Sequence, residues 1–228
     1  MKELRSWVKL PSAWIEAGGL REFQWGKTGG SRQAAALMVL LSVAHHADEA
    51  TSTARITYDD LHQALGLSRT LISDGLDVLE ERKLLVREVK GRSTFALTAY
   101  DPKRGWAMLP ARPLYTGGSI RAFTDFHLRR KVELDALKSY FAFAARRDSE
   151  KNRAHMTYEQ LSAYAGIPEG RIKSAISVLI HNNLVVVEQI ERPGRLGVSH
   201  SYRLTHLHPN RHLGSSDRAG MEYTDAEL

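Results

Sequence analysis

Two stretches one hundred positions apart align without a gap, and this repetition limits the fold more than anything else in the chain. They are ITYDDLHQALGLSRTLISDGLDVLEERKLLVRE, from Ile56 to Glu88, and MTYEQLSAYAGIPEGRIKSAISVLIHNNLVVVE, from Met156 to Glu188. Each reads as a helix, a Gly-centred turn, a second helix and the entry to a strand, which is a helix-turn-helix. In the first copy Thr57 is an N-cap with Asp60 at N3, and Ile56 and Leu61 form a hydrophobic staple. Gly66 stops that helix. Ser68 caps the next, with Leu67 and Ile72 as a second staple, and Ile72, Gly75, Leu76 and Leu79 follow at helical spacing. In the second copy the capping box is Thr157 with Gln160, and the staples are Met156/Leu161 and Ile167/Ile172. The physical devices recur along with the letters, so the repeat is an internal duplication.

Each copy continues into a two-stranded ribbon. In the first, Leu84-Leu85-Val86 leads to a turn at Lys90-Gly91-Arg92-Ser93 and back through Phe95-Ala96-Leu97-Thr98. A ribbon after a helix-turn-helix is a wing. The duplicated unit also starts well before the motif, because Trp7-Val8-Lys9-Leu10-Pro11 matches Trp106-Ala107-Met108-Leu109-Pro110. We read WxxLP as a short extended segment ended by proline and docked through its Trp on its own unit. The predicted class is therefore α+β, mainly helical, with two tandem winged helix-turn-helix domains. The first spans 1–99 with its WxxLP arm, 100–105 is a linker, and the second spans 106–208. Residues 209–228 form an acidic tail that reads as disordered, since GSSDRAGMEYTDAEL has one Arg against four acids.

Charge placement says more than its total of +6. Residues 1–100 carry 13 Lys/Arg against 12 Asp/Glu, whereas 101–213 carry 18 against 10, so the second unit holds the positive excess. The absence of cysteine removes any disulfide framework or thiolate metal site and fits a reducing compartment. No signal core follows Met1, and the longest apolar run, Ala34 to Ala44, is too short to span a bilayer. A cytoplasmic protein is expected.

That apolar run lies in a helix predicted over Ser31–His46, whose counterpart lies near Arg130–Arg147. The core stripe is shared, but Met38 and Val39 become Lys138 and Ser139. The extra apolar face of the first unit needs a cover: the other unit, the N-terminal arm or a second subunit. A homodimer contact would run through Met38 and Val39.

In a winged helix the second helix of the motif lies in the major groove and the wing reaches backbone or minor groove. The first unit offers Arg69, Thr70 and Ser73, with Lys90 and Arg92 in its wing, but Asp74 and Asp77 share the helix face. The second unit offers Arg171, Lys173, Ser174 and Ser177, and a longer wing bearing Arg192, Arg195 and His200. Arg129 and Arg130, in the basic run HLRRK, stand at a helix start where positive charge opposes the macrodipole, a cost that a phosphate contact would offset.

Other chemistries fail on spacing. Gly26-Lys27-Thr28 ends like a Walker loop, yet Arg21 stands where the first glycine is required and no apolar strand precedes it. His206, His208 and His212, like His45-His46, lack convergent structured partners for a metal. Asp59-Asp60 and Glu80-Glu81 fall on polar helix faces, and Tyr58 and Tyr158 are first residues of capped helices without a supporting His or Arg cluster. No enzyme activity, metal or cofactor is assigned.

Two such units, the first apolar and charge-balanced and the second basic, resemble the tandem winged-helix replication initiators of bacterial plasmids. The resemblance implies dimerisation through the Ser31–His46 helix and origin reading by Arg171, Lys173 and the second wing. The expected function is sequence-specific binding of double-stranded DNA in replication initiation or partition of a plasmid or phage. A transcriptional regulator of a mobile element uses the same chemistry. A third reading is a protein-interaction scaffold of a condensin-like complex, which Asp74 and Asp77 favour for the first unit.

Overall fold

Thr57 and Thr157 start equivalent helices for the same physical reason. Each hydroxyl accepts the backbone N–H three residues on, at 3.0 and 3.1 Å, while Asp60 and Gln160 reach back to the threonine N–H at 3.0 and 2.9 Å. Gly66 and Gly166 end these helices at φ of +67° and +64°, the left-handed region where a side chain is strained. The structure is a computed structural model and describes residues 3–26, 29–87, 93–98, 101, 103, 105–148, 151–191 and 198–207. Lys27, Thr28, Lys90, Arg92, Arg192, Arg195, His208, His212 and the acidic tail lie outside the described residues.

The fold is α+β. The first half runs β1 (Trp7–Pro11), α1 (Ala13–Glu16), a 3-10 turn (Gly19–Glu22), α2 (Gly30–His46), β2 (Thr53–Arg55), α3 (Tyr58–Leu65), α4 (Arg69–Glu81), β3 (Leu85–Arg87) and β4 (Thr94–Leu97). The second runs β5 (Trp106–Pro110), a 3-10 turn (Arg112–Leu114), β6 (Tyr115–Thr116), β7 (Ser119–Ile120), a further 3-10 turn (Arg121–Phe123), α5 (Lys131–Ala145), β8 (Ala154–His155), α6 (Tyr158–Ala165), α7 (Glu169–His181), β9 (Val185–Glu191) and β10 (Val198–Leu204). After α4 and α7 the chain turns back into antiparallel ribbons, β3 with β4 and β9 with β10. Each ribbon gains a third strand from the segment between helices, giving sheet orders β2-β4-β3 and β8-β10-β9.

The WxxLP segments pair with each other. β1 and β5 form an antiparallel ladder in which Trp7 faces Pro110, Lys9 faces Met108 and Pro11 faces Trp106. Lys9 and Met108 are equivalent positions, so the ladder is symmetric about its own centre. Trp7 stacks on Trp106 with ring centroids 6.1 Å apart and planes at 17°. This corrects the expectation that each Trp docks on its own unit.

The segments after the two strands also cross over. Trp14 lies against Phe141 of α5, and the 3-10 turn at Gly19–Glu22 packs on α6. In return β7 packs on α3, where Gln63 donates to the Gly117 carbonyl at 3.1 Å and Ser119 donates to the Gln63 carbonyl at 2.8 Å. Tyr115 meets His45 in the same way, its hydroxyl 3.0 Å from Nδ1.

Helices α2 and α5 pack on each other, and α4 and α7 pack on α2 and α5 respectively. Gly75 sets the first of these contacts, because a methyl there would come within 3.0 Å of the Ala35 and Ala36 backbone. The buried apolar residues of both halves form one cluster. Met38 and Val39 lie inside it with no exposed surface, and Lys138 and Ser139 are buried as well. The expected dimer contact through Met38 and Val39 is therefore corrected: their cover belongs to the same chain.

Candidate nucleic-acid interface

Helix α7 divides into two faces. Ile172, Ala175, Ile176 and Leu179 are buried, and Lys173, Ser174 and Ser177 are exposed on the other side. The Ser177 hydroxyl donates to the Lys173 carbonyl at 2.9 Å, leaving the oxygen as an outward acceptor. Among the described residues no acid pairs with Lys173. At the start of the helix, a Cβ at Gly170 would meet nothing within 4 Å.

Arg171 is held differently from the sequence expectation. Its guanidinium lies 3.0 and 3.3 Å from the two carboxylate oxygens of Asp135, whose side chain is only 4% exposed. Burial raises the Asp135 carboxyl above the usual range, opposed by Arg171, Lys138 and Lys131. Lys138, buried one turn along α5, donates to the Phe23 and Gly166 carbonyls at 3.1 and 3.4 Å. Burial pushes its ammonium down to about 8, with Asp135 opposing. Arg171 is thus tied into the packing of α7 on α5 rather than left as an outward cation.

The basic run before α5 is also corrected. Arg129 and Arg130 are exposed, but their backbone N–H groups donate to the Glu133 carboxylate at 2.9 and 2.8 Å, as does that of His127 at 2.9 Å. Glu133 is buried, so an internal anion already occupies the helix start that the sequence left to phosphate. Arg130 instead shares an open surface groove of about 550 Å³ with His127, Ser177, His181 and Asp125. The structure thereby brings together two expected residues, Arg130 and Ser177. His200 stands on β10 opposite Gln189, in the half of the second ribbon nearer its Glu191–Val198 end, and stacks on Tyr158 with ring centroids 6.4 Å apart.

The face of α4 is closed by internal pairs. Arg69 is ion-paired with Asp59 of α3. Arg87 of β3 reaches Asp77 at 2.6 Å and Glu80 at 3.3 Å, and its guanidinium also donates to the Ser73 carbonyl at 3.4 Å. Thr70 is exposed, Ser73 and Asp74 are half-buried, and no cation among the described residues pairs with Asp74. The equivalent positions of the second half, Ser177, Ile180 and Val187, carry no charge, and Ile180 is 49% exposed.

Sequence reasoning missed Glu133, Asp135 and Arg87. The available signal was an acid inside a helix whose neighbours are apolar, since such a group needs a partner when buried. His45 is buried, and that burial drives its imidazole down to about 3. Among the described residues no group of three or more His, Asp or Glu is placed to hold a metal ion, and no helix is long and apolar enough to cross a membrane.

No family model matches the chain, and no curated protein matches it. Among solved structures, the DIP2311 protein of Corynebacterium diphtheriae aligns at 16% identity over 78% of this chain, with a TM-score of 0.21. The chain spans 28% of that protein's length, and a likeness of that size carries no argument about fold or function.

Proposed function

We propose that each half is a winged helix, that the two derive from one duplicated unit, and that the protein binds double-stranded DNA through its second half. The observation that carries this reading is the outer face of α7, where Lys173, Ser174 and Ser177 are exposed on a helix fixed from behind by its buried face and by the Arg171–Asp135 pair. A helix so held presents donors and acceptors at fixed positions, as major-groove reading requires. Arg130 beside Ser177 adds a phosphate contact, and the ribbon β9–β10 acts as the wing, with His200 in the half nearer its loop end. Replication initiation or partition of a plasmid or phage is the process proposed, with the protein in the cytoplasm. A transcriptional regulator would use the same contacts, and the position of its binding sites relative to its gene separates the two.

A second reading applies to the first half. The pairing of Arg69 with Asp59 and of Arg87 with Asp77 leaves α4 without an unpaired cation among the described residues, which suits a protein partner better than phosphate. Titration of duplex binding against salt tests the main proposal. Log affinity is expected to fall steeply with log salt, and Lys173→Ala to cost about 1–3 kcal/mol of binding. Affinity that ignores both salt and this substitution would refute it.

A further inference from the structure

Residues 214–228 carry Asp217, Glu222, Asp225 and Glu227 against Arg218 alone, and no step of DNA recognition calls for them. The chain runs toward them through His206, which lines a surface cavity of about 460 Å³ at the end of α7 together with Arg121, Asn182, Asn183, Leu114 and Ala122. This cavity joins the groove that holds Arg130, His127 and Ser177, since Asp125 and His181 line both. Asp125 is the one acid in the combined lining, and it faces His181 at 3.9 Å. Arg121 and Arg130 are exposed, and neither has an acid partner among the described residues. The negative end of α7 does not cancel this charge, because its last carbonyls are closed by the chain itself. The Val178 carbonyl accepts from the Asn182 backbone at 3.1 Å and from its side chain at 2.9 Å, and the Ile180 carbonyl accepts from the Asn183 N–H at 3.0 Å. The result is a continuous basic groove beside the place where the acidic segment is joined.

We infer that residues 214–228 dock in this groove, with their carboxylates on Arg121 and Arg130, and compete there with the duplex. The docking stands on charge and placement, and the competition rests on the DNA-binding reading above. Reach does not limit the contact: Asp217 follows Leu207 by ten positions, up to about 33 Å of extended chain. Single exposed ion pairs are weak, but a tether of this length holds the acids at an effective concentration on the order of 1 mM, so weak contacts are populated. Met221 and Tyr223, set among the acids, supply apolar surface for Leu114 and Ala122. A guanidinium that holds a carboxylate is not free for a phosphate, and Arg130 and Ser177 belong to both surfaces. The acidic segment therefore acts as a built-in rival of DNA, lowering the affinity of the second half for any duplex that does not displace it.

Docking and competition are measured separately on the full-length chain. The protein has no cysteine, so Ala226→Cys takes a single nitroxide label. At low salt the label is expected to broaden the backbone amide resonances of Arg121, Asp125 and Asn183 and to spare those of α4. Neutralising the acids together, by Asp217→Asn, Glu222→Gln, Asp225→Asn and Glu227→Gln, should relieve the broadening. The neutralised protein should bind a random-sequence duplex about fivefold more tightly than wild type at about 50 mM salt, with the gap closing near about 0.5 M as the ion pairs are screened. Arg121→Ala gives the sharper sign: loss of a cation should raise duplex affinity about twofold, where loss of a simple phosphate contact lowers it. Lower affinity in Arg121→Ala, broadening absent from the groove, or broadening that survives neutralisation would each overturn the inference while leaving DNA binding intact. Groove broadening relieved by neutralisation, with no duplex binding by either protein at any salt, would remove the DNA-binding reading and the competition with it.

Discussion

Gly170 sits in the first turn of α7 although packing does not ask for glycine there, since a methyl would meet no atom within 4 Å. Alanine should therefore stabilise the fold by about 0.5 kcal/mol through lower backbone entropy in the unfolded chain. If the bare backbone lets the duplex approach closely, Gly170→Ala will also weaken DNA binding severalfold. Denaturant midpoint and duplex affinity measured together check this, and tighter binding would place the helix start away from the duplex. Lys138 makes a different prediction. The unfolded chain keeps its lysine proton up to the ordinary lysine range, whereas the folded chain releases it at about pH 8 because of burial. Between those limits the unfolded state binds more protons, so stability from this group rises with pH across that window. Denaturation midpoints taken from pH 7 to 10 should show the rise, and Lys138→Met should remove it.

At the scale of elements, Gly75 allows α4 to lie close on α2, where the second half has Ala175 at the matching position. Gly75→Ala gains helix propensity yet places a methyl 3.0 Å from backbone that side-chain motion cannot relieve. We expect a net loss of about 1–2 kcal/mol, read as a lower midpoint in urea; an unchanged or higher midpoint would show that the two helices separate without cost. Elements of this kind were largely legible in the sequence. The caps at Thr57, Ser68 and Thr157, the stops at Gly66 and Gly166, and the helices around 31–46 and 131–145 each rest on signals a few residues wide. Strands β2 and β8 were not legible, being only three and two residues long and lacking alternation to read. The outward residues of the candidate interface were found by helical spacing, but the fate of Arg171 was not. Its partner Asp135 lies 36 positions away in sequence, and no periodicity within α7 records that contact.

For the whole molecule, the exchanged arms and single apolar cluster mean that neither half completes its core alone. Unfolding is therefore expected as one cooperative event, with tryptophan fluorescence and helical circular dichroism giving coincident transitions. Met38→Glu should abolish that transition by burying an unpaired carboxylate in the shared core, with loss of structure instead of conversion of a dimer to folded monomers. A folded, monomeric Met38→Glu protein by circular dichroism and light scattering would contradict the burial of this side chain. The β1–β5 ladder has a last consequence for biosynthesis. Trp7 leaves the ribosome long before Trp106 is made, so the first strand waits with its hydrogen-bonding edge bare until the second half of the message has been translated. During that interval the nascent chain carries an adhesive strip, and a stalled or truncated product ending before Gly105 would be a natural client for chaperones.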